Sequence, residues 1–276
     1  MLQVKRVVVT GASRGIGYEL CRLLLRAGGF EVVGTSRSWE AAAPALQALS
    51  DLAAGTQRGG GQRPSSFSAL SLDIGDAGSR LGFPLALAGV LRNSKVNVLV
   101  NNAARYPTPT SQWDAATLRA ALETNTLGPL RLAEELRQNA GAEDYHVVNV
   151  TSGLGRLAAL RPPYPAALAA CHSVADLAAL PFVEGYAAGA AAGSAPAYSL
   201  SKAALNRGTR LLADAWGSAG RASAVDPGWC STAMGGATAP RSPRDGALSV
   251  LALVLGSAET VGSGGVFTSK GARIEP

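Results

Sequence analysis

Val4-Lys5-Arg6-Val7-Val8-Val9-Thr10-Gly11-Ala12-Ser13-Arg14-Gly15-Ile16-Gly17 decides how the rest of the chain is read. Val4 to Thr10 is apolar and β-branched, the composition of a buried strand. Glycines follow at once. Leu20, Leu23, Leu24 and Ala27 then recur at helical spacing until Gly28-Gly29 ends the pattern. Strand, glycine turn and helix form the context in which such glycines carry chemistry. They let backbone approach a pyrophosphate, and the helix N-terminus offers free N–H groups to the anion. The G-x-x-x-G-x-G spacing differs from G-x-G-x-x-G and lacks the Lys-Ser/Thr ending of a nucleoside-triphosphate loop. A plain glycine turn is the competing reading.

Glu31 to Ser36 reads as the second strand, and it runs into Arg37. An acidic residue at this strand end holds the ribose hydroxyls in NAD-binding folds, whereas an arginine accommodates a 2′-phosphate. Arg37 at the strand end and Arg14 in the glycine turn therefore favour NADP(H) over NAD(H). A pair between Arg37 and Glu40 is the other use of that cation.

Further along, the pattern predicts a helix over 41–52, a flexible Gly/Arg/Ser loop over about 55–66, and a strand over 67–72 leading to Asp73-Ile74. One short Arg-Gly copy in that loop reads as a mobile insertion before it reads as an RNA contact. A helix over 77–92 and a strand over 96–100 deliver Asn101-Asn102-Ala103-Ala104, whose small residues suit a flat ligand and whose Asn side chains can lock a turn. A long helix over 114–139 carries Asn125, a mediocre helix former that wants a reason inside a helix. A strand over 145–151 ends at Ser152. Alternating strands and helices predict a parallel sheet covered by helices on both faces.

The rhythm breaks between Ser152 and Tyr198, where about 154–196 reads as an insertion over the active-site mouth within one domain spanning 1–276. A strand over 221–225, a capped helix from Ser242 to about Leu255 and a last strand over 264–268 complete the pattern.

Bulk properties bound the rest. The chain has 276 residues, 47% of them hydrophobic, which suits one large α/β domain. The opening residues run straight into a strand, so no secretory signal is expected, and the longest apolar run, Ala247 to Leu255, is too short to span a bilayer. Three scattered cysteines, Cys21, Cys171 and Cys230, suggest reduced thiols and a cytoplasmic protein. The net charge of +6 comes from unclustered arginines, which fits an anionic cofactor better than nucleic acid. His146 and His172 have no ligand-like neighbours, so no metal is expected.

Tyr198 and Lys202 stand four apart in Tyr-Ser-Leu-Ser-Lys, on one face of a helix. A cation beside a phenol stabilises the phenolate, which makes the pair a candidate proton donor and acceptor near neutral pH. In isolation the same spacing is more often just a solvated helix face.

Taken in order, Thr10-Gly11, Gly15-Ile16-Gly17, Leu72-Asp73-Ile74, Asn101-Asn102-Ala103-Ala104, Asn125, Ser152, Tyr198, Lys202 and Pro227-Gly228-Trp229 resemble a short-chain dehydrogenase/reductase over nearly the whole chain. Within that family the chain is most similar to the monomeric NADPH-dependent carbonyl reductases. The resemblant features are the long insertion before Tyr198, the stretch Pro227 to Gly235 with Thr232 and Met234, and the tail Gly265 to Lys270. Ala104 stands where the family more often has Gly, and Cys230 where a Val is common. Cys230 is either a small buried filler or a reactive thiol.

The resemblance implies one Rossmann-like, doubly wound parallel sheet of about seven strands. It implies NADPH held at its pyrophosphate by Gly11, Ser13, Arg14, Gly15, Ile16 and Gly17, with Arg37 and Arg14 on the 2′-phosphate. Asp73 and Ile74 would meet the adenine, Asn101 and Ala103 the adenosine side. Pro227, Gly228, Trp229 and Thr232 would meet the nicotinamide end, with Tyr198 and Lys202. Tyr198 would donate the proton and Ser152 a hydrogen bond, Lys202 would lower the Tyr198 pKa, and Asn125 would fix a water. The substrate would be an apolar ketone, aldehyde or quinone, and the protein a monomer because the insertion covers the face of the Tyr–Lys helix. Ser152, Tyr198, Trp229 and Met234 would line the substrate side, joined by Leu154, Phe182 and Tyr186 if these are not ordinary core. A non-catalytic NADPH-binding sensor on the same fold and an NADP-dependent alcohol oxidation are the other readings.

Overall fold

The computed structural model describes residues 4–56, 63–108, 111–139, 141–186 and 195–274. Eight strands form one sheet: β1 (Lys5–Val9), β2 (Phe30–Ser36), β3 (Ser66–Ser71), β4 (Val96–Asn101), β5 (Gly141–Val150), β6 (Arg221–Val225), β7 (Val266–Phe267) and β8 (Arg273–Ile274). Their spatial order is β3-β2-β1-β4-β5-β6-β7-β8. Every pairing from β3 across to β7 is parallel, and β8 returns antiparallel to β7. The sheet is thus mixed at one edge and one strand longer than the seven expected. The extra strand is two residues long, below what period-two patterning can register. The expected last strand over 264–268 shrinks to the two residues of β7.

Helices α1 (Gly15–Ala27), α2 (Trp39–Thr56), α3 (Ala77–Val90), α4 (Ala115–Leu122), α5 (Gly128–Asn139), α6 (Tyr164–Ala169), α7 (Val174–Ala178), α8 (Pro196–Trp216), α9 (Pro243–Leu255) and α10 (Ala258–Val261) connect the strands. Central strands are buried on both faces, so Val7, Val8 and Val9 all reach zero exposure and their sequence runs apolar without alternation. Two cores result. Leu20, Leu24, Leu49 and Val250 from α1, α2 and α9 fill one face of the sheet, and Leu87, Leu130, Leu136 and Leu200 from α3, α5 and α8 fill the other. Truncating a fully buried leucine such as Leu130 to alanine would cost about 2–5 kcal/mol.

The long helix expected over 114–139 forms as a continuous helical path that widens at its middle. Glu123–Leu127 forms a π-helical turn between α4 and α5, and Asn125 sits at its centre. Wide turns of this kind recur at functional positions because they turn a backbone segment or side chain out of the helical register. Half of the loop expected over 55–66, residues 57–62, lies outside the described residues; Thr56 still belongs to α2 and Ser66 already to β3. In the insertion, α6 and α7 pack against α8. Residues 187–194 of that insertion lie outside the described set.

Candidate active site

β1 pairs with β2 on one side and β4 on the other, so the connections after β1 and β4 leave toward opposite faces. A crevice opens at such a switch point, at the carboxyl ends of the strands. The glycine turn lies there. Gly11 and Gly15 take φ values of +68° and +59°, which side-chain-bearing residues rarely adopt. At Gly17 the reason for glycine is contact: a Cβ there would collide with the Gly11 carbonyl and with Asn102 Nδ2. Asn102 fixes this turn by donating to the carbonyls of Thr10 (2.8 Å) and Gly11 (3.1 Å). The Thr10 hydroxyl accepts the N–H groups of Asn102 and Ala103, both at 3.0 Å.

Helix α1 begins without a side-chain cap, whereas Asp76, Asp114 and Ser242 cap α3, α4 and α9. Its first-turn N–H groups are therefore left to a ligand, and the partial positive charge of the helix end favours an anion. Ser13 is half-buried beside that end. Arg14 and Arg37 are exposed, and among the described residues neither enters an ion pair; the pairing of Arg37 with Glu40 does not form. Ile16 packs toward Gly246 of α9, and the Thr232 methyl faces Gly15. This brings the loop carrying Pro227, Gly228 and Trp229 over the same crevice.

On the adenosine side the expected residues divide. Asp73 is half-buried, and its carboxylate accepts the Gly75 N–H at 3.0 Å. Ile74 is 2% exposed with its side chain in the core, and its carbonyl takes a bond from Arg80, so only its backbone N–H remains for a ligand. Asn101 does not turn toward the crevice. Its amide donates to Asn149 Oδ1 (2.8 Å) and to the Pro129 carbonyl (3.2 Å), and Asn149 in turn donates to Thr209 of α8. Successive strand residues alternate faces, so one Asn of the pair is spent tying β4, β5 and α8 together while its neighbour Asn102 holds the glycine turn.

The catalytic candidates converge where β5 ends against α8. Tyr198 is 7% exposed and Lys202 3% exposed. Lys202 Nζ donates to the Val150 carbonyl at 2.7 Å and lies 5.7 Å from the Tyr198 ring centroid. Ser152, two residues beyond Val150, places its hydroxyl beside the Tyr198 phenol. Asn125 is fully buried. Its Oδ1 accepts the Arg105 N–H (2.7 Å), and its Nδ2 donates to the Arg105 carbonyl (2.9 Å) and to Ser201 Oγ (2.9 Å). Both amide hydrogens are thereby used, so a water held by this side chain has only the second lone pair of Oδ1. Ser201 Oγ donates to the Tyr198 carbonyl at 2.7 Å, which links Asn125 to the helical turn that bears the phenol.

Burial pushes the Tyr198 phenol above its ordinary range. The Ser152 hydroxyl opposes that shift, while the Tyr106 phenol and the Asp226 carboxylate add to it. Desolvation pulls the Lys202 ammonium down to about 7, because a cation loses hydration in the interior. The same burial weakens the hold of Lys202 on its own proton.

A sequence model of the short chain dehydrogenase family matches residues 5–185. The chain belongs to that family. It is 30% identical over 297 residues to (+)-neomenthol dehydrogenase of Arabidopsis thaliana, a match covering 95% of each protein. A shorter match, 40% identical over 103 residues, covers 37% of this chain and 36% of L-rhamnose 1-dehydrogenase (NAD(P)(+)) of Azotobacter vinelandii. Among solved structures, NADPH-bound carbonyl reductase from chicken fatty liver superposes with a TM-score of 0.72 at 25% identity, covering both chains fully.

In this short-chain dehydrogenase several apolar side chains stand open to solvent: Trp229 at 58%, Leu154 at 45% and Met234 at 41%. Trp229 is held by a bond from its indole N–H to the Gly235 carbonyl (2.7 Å). Phe182 and Tyr186 are committed elsewhere. They pack on Trp113, with centroids at 5.4 and 4.9 Å, and the Trp113 indole donates to the Val183 carbonyl. Cys230 is buried, as are Cys21 and Cys171, and all three thiols are free. Sequence reasoning foresaw one of two further residues and missed the other. Asn102 braces the glycine turn, the turn-locking role expected of this Asn pair, though the doubled Asn did not say which of the two would do it. Tyr106 lies edge-on to Tyr198, and nothing in its sequence context sets it apart. Among the described residues no helix is long and apolar enough to cross a membrane.

Proposed function

We propose that the protein reduces an apolar ketone, aldehyde or quinone to the alcohol, with NADPH as hydride donor and Tyr198 as proton donor. The observation that carries this reading is the convergence of Ser152, Tyr198 and Lys202 at the end of β5, against a glycine turn whose helix N-terminus is uncapped. The residues present fit the cofactor: Gly11, Gly15 and Gly17 leave a cradle that side chains would fill, and α1 presents free N–H groups. Arg14 and Arg37, unpaired among the described residues, favour the 2′-phosphate of NADP(H); Asp73, the Ile74 N–H and Ala103 would meet the adenosine, and Thr232 with the Pro227–Trp229 loop the nicotinamide end. When bound, the cofactor supplies hydride to the carbonyl carbon.

The chain's own residues handle charge and proton. As negative charge grows on the carbonyl oxygen, Ser152 donates a hydrogen bond and Tyr198 a proton. A high Tyr198 pKa keeps that proton in place until the oxygen becomes basic. Lys202 supplies the nearby cation, and Asn125 holds the Arg105 segment and the Tyr198 turn in fixed relation.

NADPH and NADH consumption against a panel of apolar ketones, aldehydes and quinones tests the reading. Turnover with NADPH, and little with NADH, is expected. Cofactor binding without reduction of any panel member would favour the sensor reading, and no cofactor binding would overturn the assignment. The packing of α6 and α7 on α8 supports a monomer, to be checked by sedimentation. The three free thiols support a cytoplasmic location.

A further inference from the structure

Tyr106 lies outside the Ser–Tyr–Lys set, yet its ring stands edge-on to that of Tyr198, with centroids 4.7 Å apart and planes at 68°. It is half-buried. Its backbone is held on the side nearer the catalytic helix: Asn125 clamps both the N–H and the carbonyl of Arg105, the preceding residue. The following residue is buried Pro107, whose ring restricts the backbone further. Tyr106 is therefore a stiff wall beside the proton donor. Burial raises its pKa, so the phenol stays neutral at working pH.

We propose that Tyr106 is a specificity-determining residue that selects flat, ring-bearing carbonyl compounds over short aliphatic ones. The proposal rests on the reductase reading above. A carbonyl oxygen must come within hydrogen-bond reach of the Tyr198 phenol to receive its proton. Atoms flanking that carbonyl then fall next to the Tyr106 ring. A planar conjugated ring meets it with aromatic contact over a large apolar area, whereas a short alkyl chain offers little of either.

The test compares wild type, Tyr106→Ala and Tyr106→Phe, using 1,4-naphthoquinone and 2-hexanone as substrates with NADPH. In Tyr106→Ala the KM for naphthoquinone is expected to rise about tenfold, with kcat within about threefold and 2-hexanone kinetics little changed. Tyr106→Phe keeps the ring and is expected to keep the wild-type KM for naphthoquinone. Equal changes for both substrates, or a fall in kcat with KM unmoved, would overturn the proposal while leaving the reductase reading intact. If wild type reduces neither compound, the reductase reading fails for this class, and naphthoquinone binding followed by tryptophan quenching decides the proposal. Binding about tenfold weaker in a normally folded Tyr106→Ala protein supports the wall, and equal binding overturns it.

Discussion

The Lys202 ammonium donates to the Val150 carbonyl at 2.7 Å, so the catalytic helix is pinned to the strand end from which Ser152 projects. That one bond sets the distance between β5 and α8 at the point where phenol and hydroxyl meet. It also explains how a cation survives at 3% exposure: a buried charge needs a strong acceptor.

Loss of the phenol isolates its role. Tyr198→Phe keeps the ring packed beside Tyr106 and removes only the acid, so turnover is expected to fall at least about 100-fold. NADPH affinity, followed by fluorescence titration, should stay within about threefold. Near-normal turnover would remove Tyr198 from the mechanism.

Lys202 gives two pH signatures. Its proton is held with a pKa of about 7 in the folded protein, against about 10.4 in an unfolded chain. Between those values the unfolded chain binds more protons, so this group makes stability rise with pH from about 7 to about 10. Below 7 the buried charge is a full cost. Lys202→Met should therefore raise Tm more at pH 6 than at pH 9, measured by scanning calorimetry, while activity is lost at both. The same shift at both pH values would show that the charge carries no such cost.

The proposed role of Arg37 and Arg14 in choosing the cofactor can be tested directly. Arg37→Ser is expected to raise the KM for NADPH by about 10–100-fold, the range for losing one charge-assisted bond, with NADH kinetics little changed. A variant that weakens both cofactors alike would place Arg37 away from the 2′-phosphate.

His146 offers a stability test remote from the site. It is fully buried in β5, with Nε2 3.1 Å from Ser223 Oγ and, among the described residues, no partner at Nδ1. Desolvation first, then the charges of Arg221 and Lys5, hold its pKa down to about 3. The unfolded chain takes up this proton near pH 6.5 and the folded one only near 3, so acidification through that window removes stability. His146→Gln should be less stable than wild type at pH 7 in urea denaturation, and the gap should close as pH falls toward 4.5. A constant gap would mean that the histidine is not a source of acid sensitivity.

Most of the frame was legible in the sequence because parallel strands buried on both faces leave uninterrupted apolar runs, such as Val7 to Val9. The glycine turn was legible because Gly11, Gly15 and Gly17 each answer a backbone demand. Asn101 and Asn102 were not separable: two identical side chains diverge only once strand alternation sends them to opposite faces. The π-turn at Asn125 hid inside an apolar pattern that continues with nearly the same period on either side. Tyr106 was invisible because its contact with Tyr198 joins a residue after β4 to one in α8, 92 positions away. The two readings of Phe182 and Tyr186, pocket lining or ordinary core, could not be separated in the sequence, since Trp113, on which they pack, lies far upstream.

Bracing α8 with α6 and α7 of the same chain has a consequence for how the protein responds to dilution. The order of the helix bearing Tyr198 and Lys202 is supplied by covalently attached neighbours, whose effective concentration does not change with that of the protein. Specific activity should then hold constant from micromolar stocks down to the nanomolar range, where assemblies that order their catalytic helices through a partner would fall apart.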